Sequence, residues 1–171
     1  RHYQPKVNRR TGQIIGVEAL ISWQHPGRGL LAPSGFRPVI EDHPGEVEVG
    51  DWVIKTALSR AGRWLAQGLD VPVSVNIGAR QLQQDSFVTH LHERLAAHPA
   101  VRPSALVLEV LETSALEDLT RVSAVIESCR SFGVLFSLDD FGTGYSSLTY
   151  LKRLSVDQLK IDQSFVRDML D

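Results

Sequence analysis

Glu18, Asn76, Glu109, Asp139, Asp140 and Lys160 each stand at the end, or on one face, of a short apolar run. Taken singly they have ordinary structural readings: an ion pair for Glu18 or Glu109, a turn cap for Asn76, a solvated acidic turn for Asp139 and Asp140, a solvated strand-end lysine for Lys160. A carboxylate buried without a partner is costly, however, and six polar groups at successive strand ends read better as one site. Oxygen donors of this kind suit a hard divalent cation. The densest stretch is VLFSLDDFGTGYSSL at 134–148. Side chains alternate sides along a strand, so Asp139 and Asp140 share a face only if the backbone turns there. Gly142 and Gly144 are expected to supply the turn, since glycine tolerates positive φ.

These groups need a scaffold that delivers strand ends to one place. HYQPKV (2–7) reads as an edge strand, because Pro5 has no N–H to give a ladder. After the turn at 8–12, IIGVEALISW (14–23) completes a hairpin. Residues 24–33 read as loop, and Ser34 as the N-cap of a short helix near 35–42. A helix over 46–67 carries Val49, Val53, Ala57, Ala61 and Leu65 on one stripe, with Trp52 and Trp64 as core residues alongside. Strands at 71–77, 105–111, 134–140 and 156–161 then alternate with helices near 84–97, 116–132, 146–152 and from about Ser164.

Strands apolar on both faces and separated by helices predict a largely parallel sheet with helices covering it. The polar groups spread over five strands instead of gathering at one switch point, so the expected class is α/β, a TIM-barrel-like (β/α) barrel with its active groups at the C-terminal rim. A complete (β/α)8 barrel takes about 250 residues. The 171 residues are therefore expected to form an incomplete barrel, one domain over 1–171 lacking its C-terminal units.

Composition narrows the function classes. The formal net charge of -2 offers no general attraction for DNA or RNA polymers, so an anionic ligand must meet local positive charge. Cys129, the only cysteine, excludes an internal disulfide and a cysteine-based metal cluster and fits a reducing, cytoplasmic setting. No apolar run approaches the ~18 residues of a membrane span, although a larger parent could be tethered through other segments. Asp140-Phe141-Gly142 spells a kinase motif without its glycine-rich loop or catalytic loop. His90, His92 and His98 with Glu93 lack metal-site spacing and read as a solvated helix face.

Glu18-Ala19-Leu20 after Gly16-Val17, SVNIGARQ at 74–81, Glu109 and Glu112 in ExxE, DDFGTGYSSL at 139–148 and Lys160-Ile161-Asp162 together resemble an EAL domain, in order from Tyr3-Gln4-Pro5 to Ser164-Phe165-Val166. The resemblance implies a barrel whose first strand is antiparallel to the others, and a cyclic di-GMP phosphodiesterase that uses two Mg²⁺ or Mn²⁺ ions to yield linear pGpG. It implies Glu18, Asn76, Glu109, Asp139 and Asp140 as metal ligands, with Glu18 and Lys160 in the catalytic machinery. It further implies Gln4 as a substrate contact and Glu112 as support for the loop after Asp140. Physical chemistry agrees: two oxygen-ligated cations ~3.5–4 Å apart activate water and neutralise phosphoryl charge. A homodimer, and sensor or GGDEF-type domains in the parent protein, are the implied partners besides cyclic di-GMP.

Three departures bear on activity. Ser22 stands where active members carry an arginine that grips a substrate phosphate, Gly78 replaces a serine, and Leu111 replaces a threonine. The family's later metal-site glutamate and a downstream glutamine are absent from the 171 residues, so this stretch alone is expected to be weak or inactive. The competing expectation is a degenerate domain that binds cyclic di-GMP or serves as a scaffold. A third, an unrelated barrel acting on sugar phosphates, would be excluded by a linear nucleotide product.

Overall fold

The computed structural model describes residues 2–40, 43–142 and 151–167. The eight described strands are β1 (His2–Val7), β2 (Ile14–Leu20), β3 (Trp23–His25), β4 (Gly29–Leu31), β5 (Val73–Ile77), β6 (Leu106–Leu111), β7 (Leu135–Phe141) and β8 (Gln158–Ile161). The described helices are α1 (Arg37–Ile40), α2 (Gly45–Ala66), α3 (Ala79–Leu82), α4 (Phe87–Ala96), α5 (Glu112–Glu117), α6 (Leu119–Arg130) and α7 (Gln163–Arg167). Six strands make one open sheet, β1-β2-β5-β6-β7-β8, the arc of a half-barrel, while β3 and β4 pair separately. β1 runs antiparallel to β2, and every later pair in the arc is parallel.

Alternation within the strands separates packing from chemistry. On one face of the arc, Val73, Val75, Ile77, Leu106, Leu108, Val110, Phe136 and Leu138 are buried against the helices. Each such side chain contributes about 1.5–3 kcal/mol when fully buried. The opposite face carries Ser74 and Asn76 on β5, Glu109 on β6, and Ser137 and Asp139 on β7. The register sets Asn76 beside Glu109 and Glu109 beside Ser137. Parallel strands in register therefore bring their polar residues to one end of one face.

Several local expectations need correction. The segment 24–33 is not plain loop, because β3 and β4 form a hairpin there. His25 Nδ1 accepts the N–H groups of Gly27 and Arg28, which stabilises its turn. In place of a helix capped by Ser34, a 3₁₀ turn over Pro33–Gly35 leads into a short α1. The helix expected at 116–132 is two helices, α5 and α6. They break at Asp118, which leaves helical geometry (φ -143) and caps α6 by accepting from the Arg121 N–H. The buried stripe of α2 is Ile54, Ala57, Leu58 and Ala61, rotated from the expected one. Trp52 is 41% exposed, so it is not core, whereas Trp64 packs edge-on against Tyr3 at 4.9 Å. The helix expected at 146–152 falls almost wholly outside the described residues.

Candidate active site at the strand ends

Three strands far apart in sequence converge on one point. One carboxylate oxygen each from Glu18 on β2, Glu109 on β6 and Asp139 on β7 lie within 4.8 Å of one another. Lys160 on β8 reaches into this triad, with Nζ 2.7 Å from Asp139 Oδ2, 2.8 Å from Glu109 Oε2 and 3.3 Å from Glu18 Oε2. Asn76 adds a fifth strand, its Nδ2 donating to Glu18 Oε1 at 3.1 Å. The second oxygen of Glu109 is taken by Lys6 of β1, Nζ to Oε1 at 2.6 Å, and Lys6 also donates to Ser74 Oγ at 2.6 Å.

The Glu109 side chain is 0% exposed. Burial alone pushes its carboxyl pKa up, but hydrogen bonds and charge attraction from Lys160 and then Lys6 outweigh burial and hold it below the ordinary value. Lys160 shows the mirror case: burial pushes it down, while Asp139 and Glu109 raise it well above an ordinary lysine. The ammonium of Lys160 thus sits among three oxygen donors where a cation is electrostatically favoured. That arrangement is the test of fit for a divalent metal, and the donor set passes it: hard oxygens, converging, partly buried. Among the described residues this is the only such group. His90 and His92 are exposed, and His98 Nδ1 sits 2.8 Å from the Arg94 carbonyl.

Asp139 reaches the site at a bulge in β7. Leu138 pairs with Leu159 and Phe141 with Ile161, so β7 carries one extra residue opposite Lys160. The positive φ falls on Asp140 itself, at 56, the single such value among described non-glycine residues, and the strand runs on through Phe141. Gly142 follows at φ 103, and Gly144 lies outside the described residues. Asp140 is not among the three converging carboxylates; its N–H donates to Asp139 Oδ1 at 3.0 Å.

Glu112, only 3% exposed, starts α5 and accepts the Gly142 N–H through Oε2 at 2.9 Å. It anchors the backbone directly after the bulge. Glu112→Ala leaves that N–H without its acceptor, and we expect about 1–3 kcal/mol of lost stability together with a ten- to hundredfold loss of metal affinity. Thermal melts and Mn²⁺ titration check the two effects separately.

Gln4 lies directly opposite Glu18 on the exposed part of the same face. Ser22 follows the end of β2, half-buried at the same end of the arc as the carboxylates. The residue that sequence reasoning missed is Lys6. Its two-residue spacing from Gln4 places both on one face, which was the available signal.

A sequence model of the EAL domain family matches residues 1–171. The chain is 42% identical over 169 residues to the Bifunctional diguanylate cyclase/cyclic di-GMP phosphodiesterase MucR of Pseudomonas aeruginosa, covering 98% of this chain and 24% of that protein. It is 37% identical over 167 residues to the cyclic di-GMP phosphodiesterase PA2567 of the same organism, covering 98% and 28%. Its fold is similar to the PaMucR phosphodiesterase in its c-di-GMP complex, with a TM-score of 0.91 at 42% identity over 99% of this chain and 68% of that one. The EAL enzyme Bd1971, in a form with cAMP and cyclic-di-GMP bound, follows at a TM-score of 0.89 and 33% identity over 98% and 46%. The chain thus spans about a quarter of the length of these curated relatives.

Proposed function

The chain belongs to the EAL domain family, and from that premise we propose that the protein containing it hydrolyses cyclic di-GMP to linear pGpG with two Mg²⁺ or Mn²⁺ ions. The observation that carries the reading is the convergence of Glu18, Glu109 and Asp139 from three strands onto one point. These three, with Asn76 and Asp140, would hold the cations. When bound, the cations would supply activation of water and neutralisation of phosphoryl charge. Gln4, opposite Glu18, contacts the substrate. Lys160, which bonds all three carboxylates, would orient the attacking water and stabilise charge on a phosphoryl oxygen. Glu112 keeps the bulge in the geometry these ligands need. The test is hydrolysis by the full-length protein with Mg²⁺ or Mn²⁺, the product separated by chromatography. Cyclic di-GMP left uncleaved in both metals would overturn the reading.

Ser22 supports a second reading, a domain that binds cyclic di-GMP without turning it over. Serine lacks the bidentate charged contact an arginine makes with phosphate. Charge-assisted hydrogen bonds contribute about 1.5–3 kcal/mol, and ~1.4 kcal/mol is tenfold in affinity. Ser22→Arg is therefore expected to lower KM about tenfold or more with little change in kcat. Tight binding by the wild type without product, in metal-replete buffer, would favour the receptor reading.

The size of the relatives supports a larger parent carrying sensor or cyclase domains, and a homodimer is the proposed assembly. No described helix is long and apolar enough to cross a membrane; a cytoplasmic site of action is the location proposed.

A further inference from the structure

Glu109 is bonded by two lysines, and they are not equivalent. Lys160 binds Oε2 and at the same time Glu18 and Asp139, the other two carboxylates of the triad. Lys6 binds Oε1 of Glu109 and no other carboxylate among the described residues, and its second partner is the hydroxyl of Ser74, a residue 2% exposed. Lys160 faces the three oxygens that would hold a cation. Lys6 stands behind the ligand.

We infer that Lys6, seated by Ser74, is a positioning residue for the metal site, holding Glu109 Oε1 so that Oε2 alone is turned toward the cation. The inference rests on the proposed ligation by Glu109. The path of the Lys6 side chain is built into the sheet: its register partner on β2 is Gly16, and a Cβ there would lie 3.9 Å from Lys6 Cδ. Both donors to Glu109 are short, at 2.6 and 2.8 Å, and the carboxylate has no exposed surface through which water could replace a lost one. Groups that hydrogen-bond a ligating carboxylate fix its orientation, and their removal typically weakens metal binding ten- to hundredfold. An opposing effect exists, since a positive charge near a cation site repels the metal. The direct 2.6 Å contact and the full burial of Glu109 make orientation outweigh repulsion, and the two effects carry opposite signs in a binding experiment.

The test is Mn²⁺ binding to the full-length protein, followed by the paramagnetic resonance of free Mn²⁺, so that it does not depend on turnover. Lys6→Met is expected to weaken binding about tenfold or more, Lys6→Arg to retain most of it because a guanidinium still donates to a carboxylate, and Ser74→Ala to weaken it by a smaller factor. In a Glu109→Gln background, Lys6→Met should add less than about twofold, since its effect passes through Glu109. Thermal melts in chelator confirm that each variant is folded; should Lys6→Met not fold, Ser74→Ala and Lys6→Arg carry the test. Wild-type or tighter Mn²⁺ binding by Lys6→Met, or by Ser74→Ala where only that variant folds, would overturn the inference while leaving the ligand assignment intact. Undiminished binding by Glu109→Gln would overturn the ligand assignment, and the inference with it.

Discussion

Replacing Lys160 with methionine should make the stability of the domain depend on metal. In the wild type, Nζ makes three ion pairs, at 2.7, 2.8 and 3.3 Å, with carboxylates whose oxygens crowd within 4.8 Å of one another. Methionine fills a similar volume without the charge, so the acids repel each other and Glu109 Oε2 loses its donor. Breaking a fully buried pair from one side costs about 3–5 kcal/mol. Lys160 is 29% exposed and its partners Glu18 and Asp139 are not fully buried, so solvent screening brings the expected loss to about 1–3 kcal/mol. Melting curves in chelator should show the variant several degrees below wild type, with excess Mg²⁺ or Mn²⁺ closing most of the gap. Hydrolysis should fall about a hundredfold or more, in line with the loss of one positioned donor at a phosphoryl centre. A variant as stable as wild type in chelator would mean that the lysine is not the internal counter-charge.

Glu18→Ala should separate activity from stability in the opposite way. Glu18 accepts from Asn76 through one oxygen and from Lys160 through the other. Its removal takes one of three converging carboxylates from the site while relieving part of their mutual repulsion. Hydrolysis is expected to fall a thousandfold or more, about 4 kcal/mol of transition-state stabilisation. Stability in chelator should change by less than about 1 kcal/mol, because the lost hydrogen bonds are offset by the weaker repulsion. Steady-state kinetics and chelator melts on the same preparation check both. Residual hydrolysis above about a tenth of wild type, a loss of less than ~1.4 kcal/mol, would remove Glu18 from the metal site.

The candidate site was legible wherever charge interrupts an apolar alternation. Glu18, Glu109 and Lys160 stood out because a charged side chain inside a strand must have a partner, and the structure supplies partners for all three. Lys6 did not stand out. On a strand read as an edge, a lysine is an ordinary guard against unwanted pairing, and its partner lies 103 residues away. The barrel class followed from strand–helix alternation, and the antiparallel first strand from family resemblance. The β3–β4 hairpin escaped because three-residue strands carry too little pattern, and Asp118 because a helix break made by one capping side chain looks like any acid on a helix surface. Positive φ is rare for residues other than glycine, so the spacing of Gly142 and Gly144 pointed to them and away from Asp140. The bulge and the anchor from Glu112 hold an aspartate in that conformation.

The contacts that assemble the triad have a consequence in time. Lys160 and Glu18 are separated by 142 residues, and Lys6 and Glu109 by 103. At roughly 5–20 residues per second, a ribosome that has exposed Glu18 needs about 7–28 seconds more to deliver Lys160. Glu109 emerges in between, and the counter-charge from β1 is already waiting for it. β1 thus offers the growing sheet an early electrostatic clasp, and Lys160 on β8 joins the triad only when synthesis has passed residue 160.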